Sequence, residues 1–147
     1  MYKSIVVGTD GSSTATGAVA VATELARSFG AQLHVVCVHN AAQVSTAVAA
    51  SAGLPSSFAE VDQAARDHTS SVLEQARERA VAAGVDVAVH GCTGTPADVL
   101  VSLAEGENAD LIVVGNRGMK GARRILGSVP NHVAHHASCA VMIVPTT

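Results

Sequence analysis

The sequence predicts a doubly wound α/β domain, a parallel five-stranded sheet with helices on both faces. Three observations predict it. Short β-branched runs alternate with longer segments of helical periodicity along the whole 147-residue chain. Two of these runs, residues 33–38 and 111–114, are almost continuously apolar, as strands buried on both faces of a parallel sheet are. Glycine and Asx or Ser residues stand where strands pass into helices and helices end, at Asp10-Gly11-Ser12-Ser13, Gly30, Gly84 and Gly127-Ser128.

Each element follows in order. Residues 5–9 read as the first strand, and Ser12 or Ser13 as the cap of a helix to about residue 29, with Ala18, Ala22, Leu25 and Phe29 on its buried face. The second strand is 33–38. Residues 40–57 are Ala/Ser-rich and interrupted by Gly53 and Pro55, so they read as a long connection. A second helix over about 59–83 carries Val61, Ala65, His68, Val72 and Ala76 on one face, which makes His68 a core or interface histidine. Residues 85–90 form the third strand. Pro96 sits where a helix tolerates it, in the first turn, ahead of the stripe Val99, Leu100, Leu103 and Ala104. Strand 111–114, a glycine-rich segment 115–127, a short helix over 129–136 and a last strand over 140–144 complete a β-α-β-α-β-α-β-α-β pattern. Five strands in one domain over 1–147 point to a Rossmann-like or flavodoxin-like sheet, whose ligands sit beyond the carboxyl ends of the strands where the winding reverses.

Composition narrows the function classes. Apolar residues make up 48% of the chain and aromatic ones only 2%, so the core is built from Ala, Val, Leu and Ile. No apolar stretch approaches the roughly 18 residues of a membrane span, and the first residues lack the pattern of an export leader; a cytoplasmic location without membrane association is expected. Cys37, Cys92 and Cys139 are odd in number and widely spaced, the pattern of reduced packing thiols. The net charge of -3 gives no reason to expect nucleic acid. Its distribution is uneven: every acidic residue precedes Leu111, whereas Arg117, Lys120, Arg123 and Arg124 cluster after it. Such a cluster favours a local anion site.

The chemistry concentrates in 115–129. Gly115-Asn116-Arg117-Gly118 follows a buried strand and Gly127-Ser128-Val129 opens a helix, so backbone N–H groups from both places are available to phosphate oxygens, with the Ser128 hydroxyl beside them. The segment lacks the Walker A pattern, and Gly8-Thr9-Asp10-Gly11 lacks the dinucleotide fingerprint. Asp10 is either a ligand group or a turn-forming Asx residue. His132, His135 and His136 read as surface or edge-of-core residues, because no third ligand stands near them at helical spacing; no metal site is expected.

Taken together, Val7-Gly8-Thr9-Asp10-Gly11-Ser12, Gly94-Thr95-Pro96 and the run from Val113 to Val129 resemble the ATP-binding subgroup of the universal stress protein family, over the whole chain. In that family's signature, G-x-x-G is followed by G-[ST]; here eight residues separate Gly118 from Gly127, one fewer than in its commonest form. The resemblance implies an adenine nucleotide alpha hydrolase-like sheet and a stress-responsive nucleotide sensor. It implies that Gly8, Thr9 and Asp10 contact the adenosine part and that the Val38 backbone meets the adenine edge. Gly115, Asn116, Arg117 and Gly118 would surround ribose and phosphates, and Gly127, Ser128 and Val129 the outer phosphates. The ligand expected is ATP, with or without Mg²⁺, or alternatively cyclic AMP. Pairing into a homodimer through strand 140–144 is also implied. No catalytic residue is expected, because no acid follows Asp110 to hold a metal or activate a nucleophile; hydrolysis would be very slow, and a slow ATPase or phosphotransferase is the rival reading.

Overall fold

The structure is a computed structural model that describes residues 1–39, 58–116 and 127–145. Five parallel strands form one sheet in the order β3-β2-β1-β4-β5, where β1 is Ser4–Gly8, β2 Gln32–His39, β3 Val87–Thr93, β4 Leu111–Asn116 and β5 Ala140–Pro145. Helices α1 (Ser13–Phe29) and α2 (Phe58–Ala82) cover one face; α3 (Pro96–Gly106) and α4 (Ser128–His136) cover the other. Of the two doubly wound orders named above, this is the Rossmann type, and its winding reverses between β1 and β4. No helix among the described residues is long and apolar enough to cross a membrane.

The β-branched strand residues divide between the two faces by alternation. Ile5, Val7, Leu33, Val35, Leu111 and Val113 pack under α1 and α2, while Val6, Val36, Ile112 and Val114 pack under α3 and α4. Each such fully buried side chain contributes about 2 kcal/mol through the apolar surface it removes from water. The helices present alanine to the sheet, Ala18, Ala22 and Ala26 from α1 and Ala97 and Ala104 from α3, which lets backbone approach backbone. Gly8 shows how close this packing is, because a Cβ there would lie 3.2 Å from both terminal methyl groups of Leu100.

Several expected faces and limits are corrected. The buried stripe of α1 is Ala18, Val19, Ala22, Thr23 and Ala26; Leu25 lies at its edge and Phe29 is 42% exposed, its ring edge-on to Tyr2. The reason is that the ladder of small residues fits the close sheet contact, and the larger side chains are turned to its rim. On α2 the stripe is Ala65, Thr69, Leu73, Ala76 and Ala80, so His68 is exposed and is not a core residue. The third strand begins at Val87 and runs on through Thr93. Val85 is spent on the helix end, where its N–H donates to the Ala80 carbonyl after the left-handed Gly84. On α3, Ala97 replaces Val99 and Leu103 among the fully buried residues.

Helix boundaries follow the chemistry of their ends. The Ser12 hydroxyl accepts from the Ala15 N–H at 3.2 Å, and Gly30, at φ 64°, closes α1 with its N–H on the Ala26 carbonyl. Pro96 opens α3 at a position where its missing N–H costs nothing.

Candidate nucleotide site

The loops after β1 and β4 open at the carboxyl ends of adjacent strands, on either side of the reversal. Three local features shape the first loop. The Thr9 N–H donates to the Val36 carbonyl at 2.9 Å, tying the end of β1 to β2. Asp10 Oδ1 accepts from the Ser12 N–H at 2.9 Å, so the carboxylate forms an Asx turn that leads into the Ser12 cap. Gly11 takes φ 81°, with a built Cβ only 2.7 Å from Val72 Cγ2, so the turn is held against α2 where only glycine fits. The alternative reading of Asp10 as a turn former therefore describes one of its two carboxylate oxygens.

The second loop starts from Gly115 and Asn116. A Cβ on Gly115 would stand 3.2 Å from the Thr14 carbonyl oxygen and 3.5 Å from Ala18 Cβ, which places the end of β4 against the first turn of α1. Asn116 is 1% exposed, and its Oδ1 lies 3.8 Å from the Cβ position of Gly127. The end of β4 and the start of α4 thus come together although the sequence separates them. Gly127 caps α4 without a side-chain hydrogen bond, and Pro130 follows in the third helical position. The N–H groups of Ser128 and Val129 are the first helical donors, and the helix dipole adds to their preference for an anion.

Among the expected site residues, Gly8, Thr9, Asp10, Gly115, Asn116, Gly127, Ser128 and Val129 therefore line one end of the sheet around the reversal. Val38 stands at the carboxyl end of β2, paired with Cys92 and two residues beyond the level of Gly8. Arg117 and Gly118 lie outside the described residues, as do Lys120, Arg123, Arg124 and the connection 40–57.

Some contacts had no signal in the sequence. His39, next to Val38, approaches Asp62 on α2 at 2.8 Å, and the same carboxylate accepts from Arg66 at 3.0 Å. The hydrogen bond from His39 is the main cause holding the Asp62 carboxyl below its usual pKa. A cleft of about 220 Å³ separates α1 from α2 and is lined by Thr9, Gly11, His68, Gln75 and Arg79 among others. Cys37 is buried under α2, and burial raises its thiol pKa, with Asp10 adding to the rise and a hydrogen bond to Thr69 opposing it. Cys37, Cys92 and Cys139 are all free thiols.

The histidines of α4 lie at the surface or the edge of the core, as expected, with one contact the sequence did not show. His132 does find an acid, Asp98 of α3, at 2.8 Å, and stacks on His136 with ring centroids 4.1 Å apart. The Nδ1–H groups of His135 and His136 donate to the carbonyls of Asn131 and His132. The acid comes from another helix, so spacing along α4 could not reveal it.

Comparison with known proteins agrees with this architecture. A model of the universal stress protein family matches residues 1–145. Universal stress protein Rv1636 of Mycobacterium tuberculosis is 40% identical over 148 residues, which span 99% of this chain and 98% of that protein. Universal stress protein MJ0531 of Methanocaldococcus jannaschii is 34% identical over 147 residues, 98% of this chain and 82% of that protein. A solved universal stress protein in complex with cAMP superposes with a TM-score of 0.71 at 34% identity, covering 99% of this chain and 98% of the other. The chain belongs to the universal stress protein family.

Proposed function

We propose that this protein binds an adenine nucleotide, ATP in the first instance, in the crevice between the β1–α1 and β4–α4 loops, and works as a nucleotide-responsive sensor. The observation that carries this reading is that the start of α1, the end of β4 and the start of α4 come together at the winding reversal: the Cβ position of Gly115 is 3.2 Å from the Thr14 carbonyl oxygen, and that of Gly127 is 3.8 Å from Asn116 Oδ1. Phosphate oxygens suit the helix-start N–H groups of Ser128 and Val129, and the Asp10 carboxylate suits the hydroxyls of a ribose. Mg²⁺ would accompany a triphosphate as its counter-ion.

Cyclic AMP is a second reading, favoured by the neighbour that was solved with cAMP at 34% identity and by the loop one residue shorter than the commonest form. A single phosphate needs fewer donors than three. On either reading the protein is a binding module without a catalytic group, because Asp10 is the one acid on the two loops. Its output would pass through a homodimer joined at β5, an edge strand whose Val141, Met142 and Ile143 are only half-buried. The free thiols suit the reducing cytosol in which such a sensor would work.

Calorimetric titration of ATP and cyclic AMP into the wild type and Gly127→Val tests the site. A Cβ at this position meets Pro130 at 3.5 Å and Asn116 Oδ1 at 3.8 Å, ordinary contacts, and the two further methyl groups of valine are intended to obstruct the space before the helix start. Micromolar affinity lost in the variant supports the reading, and equal affinity in both proteins contradicts it.

A further inference from the structure

One group of side chains takes no part in the proposed nucleotide site. His34 lies in the middle of β2, within the run Leu33-His34-Val35-Val36, and is only 3% exposed. Strand alternation turns it to the face covered by α3, away from Leu33 and Val35, which face α1 and α2. On the neighbouring edge strand, His90 is two residues beyond Ala88, the pairing partner of His34, and meets it across the ladder. Their rings are tilted by 31°, with His34 Nδ1 and His90 Nε2 3.0 Å apart. Glu107, directly after the C-terminal end of α3, brings a carboxylate oxygen to 3.9 Å from His34 Nε2. One ligand atom from each of the three residues lies within 4.8 Å of the others, the one such convergence of three metal-ligating side chains among the described residues.

We propose that His34, His90 and Glu107 form a binding site for a divalent transition-metal ion of the zinc type, with water in the remaining position. Two imidazoles and one carboxylate are a ligand set that zinc accepts when a fourth position stays open. Bonds of about 2.0–2.1 Å in tetrahedral geometry put ligand atoms about 3.3 Å apart. His34 can offer the ion only one nitrogen, and Nδ1, which already faces His90 Nε2 at 3.0 Å, is that one. These two nitrogens need to part by a few tenths of an ångström, while the Glu107 carboxylate, which now faces the other nitrogen Nε2, has to swing across by about 1 Å or more, within the 4.8 Å that the three ligand atoms span. Glu107 is free to do so, since its side chain is 40% exposed, and that exposure also admits water and the ion. The burial of His34 supplies the fixed side of the site.

The site is separate from the nucleotide crevice. His34 precedes Val38 by four residues on β2, which is about 13 Å along a strand. Binding there would join the edge strand β3 to β2 and to the end of α3, so its first consequence is structural. The proposal departs from the sequence-based expectation of no metal site, which weighed only ligands close together in the chain.

The test is titration of the metal-free protein with Zn²⁺ against a chromogenic chelator, together with Co²⁺ absorption. His90→Asn and Glu107→Gln are the informative variants, because both residues are less buried than His34; circular dichroism checks that the fold survives their loss. One equivalent of Zn²⁺ is expected in the wild type, weakened at least tenfold in each variant, as removal of even a supporting group weakens metal sites. Zinc should raise the Tm of the wild type and not of the variants. The Co²⁺ form should show tetrahedral d–d bands without thiolate charge transfer, which separates this site from Cys37, Cys92 and Cys139. His132→Gln should leave binding unchanged. Unaltered Zn²⁺ affinity in His90→Asn and Glu107→Gln, thiolate charge transfer, or no stoichiometric binding overturns the proposal.

Discussion

Replacing Gly11 by alanine tests the local argument that this turn needs glycine twice over, once for conformation and once for space. At φ 81° an L side chain costs about 1 to 2 kcal/mol. The added Cβ would lie 2.7 Å from Val72 Cγ2, where ordinary contact begins near 3.4 Å. Val72 is β-branched and stiff at χ1, so moving its methyl group out of the way costs about another 1 kcal/mol. Alanine returns about 0.5 kcal/mol by restricting the unfolded chain. The net destabilisation is then about 2 kcal/mol. Gly30→Ala is the control, since Gly30 has φ 64° with nothing within 4 Å of its Cβ position, and should lose only about 1 kcal/mol. Urea denaturation followed by circular dichroism at constant m measures both. Combining Gly11→Ala with Val72→Ala should recover about 1 kcal/mol of coupling, the contact share of the cost. Equal losses at Gly11 and Gly30, or no coupling to Val72, would refute the claim that α2 holds the turn in place.

Two further outcomes concern ionisable groups. Asp110 Oδ2 accepts from the N–H groups of Lys3 and Ser4 at 2.6 and 3.0 Å, and these bonds hold its carboxyl below the usual range. A depressed folded-state pKa gives stability that is complete above the ordinary value near 3.9 and is lost as pH falls through the folded one. Asp110→Ala should therefore cost about 1 kcal/mol at neutral pH, with the gap narrowing below about pH 4; a gap that persists in acid contradicts the assignment. Cys37, 2% exposed with its thiol pKa raised by burial, should resist alkylation in the native protein, while the half-buried Cys92 and Cys139 react first; mass spectrometry reads the order, and early modification of Cys37 would count against its burial.

The order of all nine described elements was legible because each carries its period and its end signal. Asp10-Gly11-Ser12, Gly30, Gly84 and Pro96 each stand at a turn or helix end, and the mostly apolar runs of β2 and β4 are the inner strands beside β1. What failed was finer. The period of α1 admits more than one stripe through an alanine-rich helix, and close packing chose the small residues over Leu25 and Phe29. Val85 is apolar and buried like a strand residue, yet it packs on the end of α2, and only the ladder with Leu33 shows that pairing begins at Val87. The candidate site residues were proposed where glycine and Asx residues mark loops. The His34–His90 contact joins residues 56 apart in sequence, and the Asp98–His132 pair joins two helices, so no spacing rule reaches either. One clue was available: a histidine inside the apolar run of β2 must be buried, and a buried imidazole requires a partner.

The central claim is that the two glycine loops at the winding reversal hold an adenine nucleotide. Calorimetric titration of the metal-free wild type with ATP, ADP, AMP, cyclic AMP and GTP tests it most directly. The account predicts one site per chain with micromolar affinity for ATP or cyclic AMP and much weaker binding of GTP. An absence of heat and of competition with any adenine nucleotide would mean that the loops serve only the fold, and would contradict the functional reading.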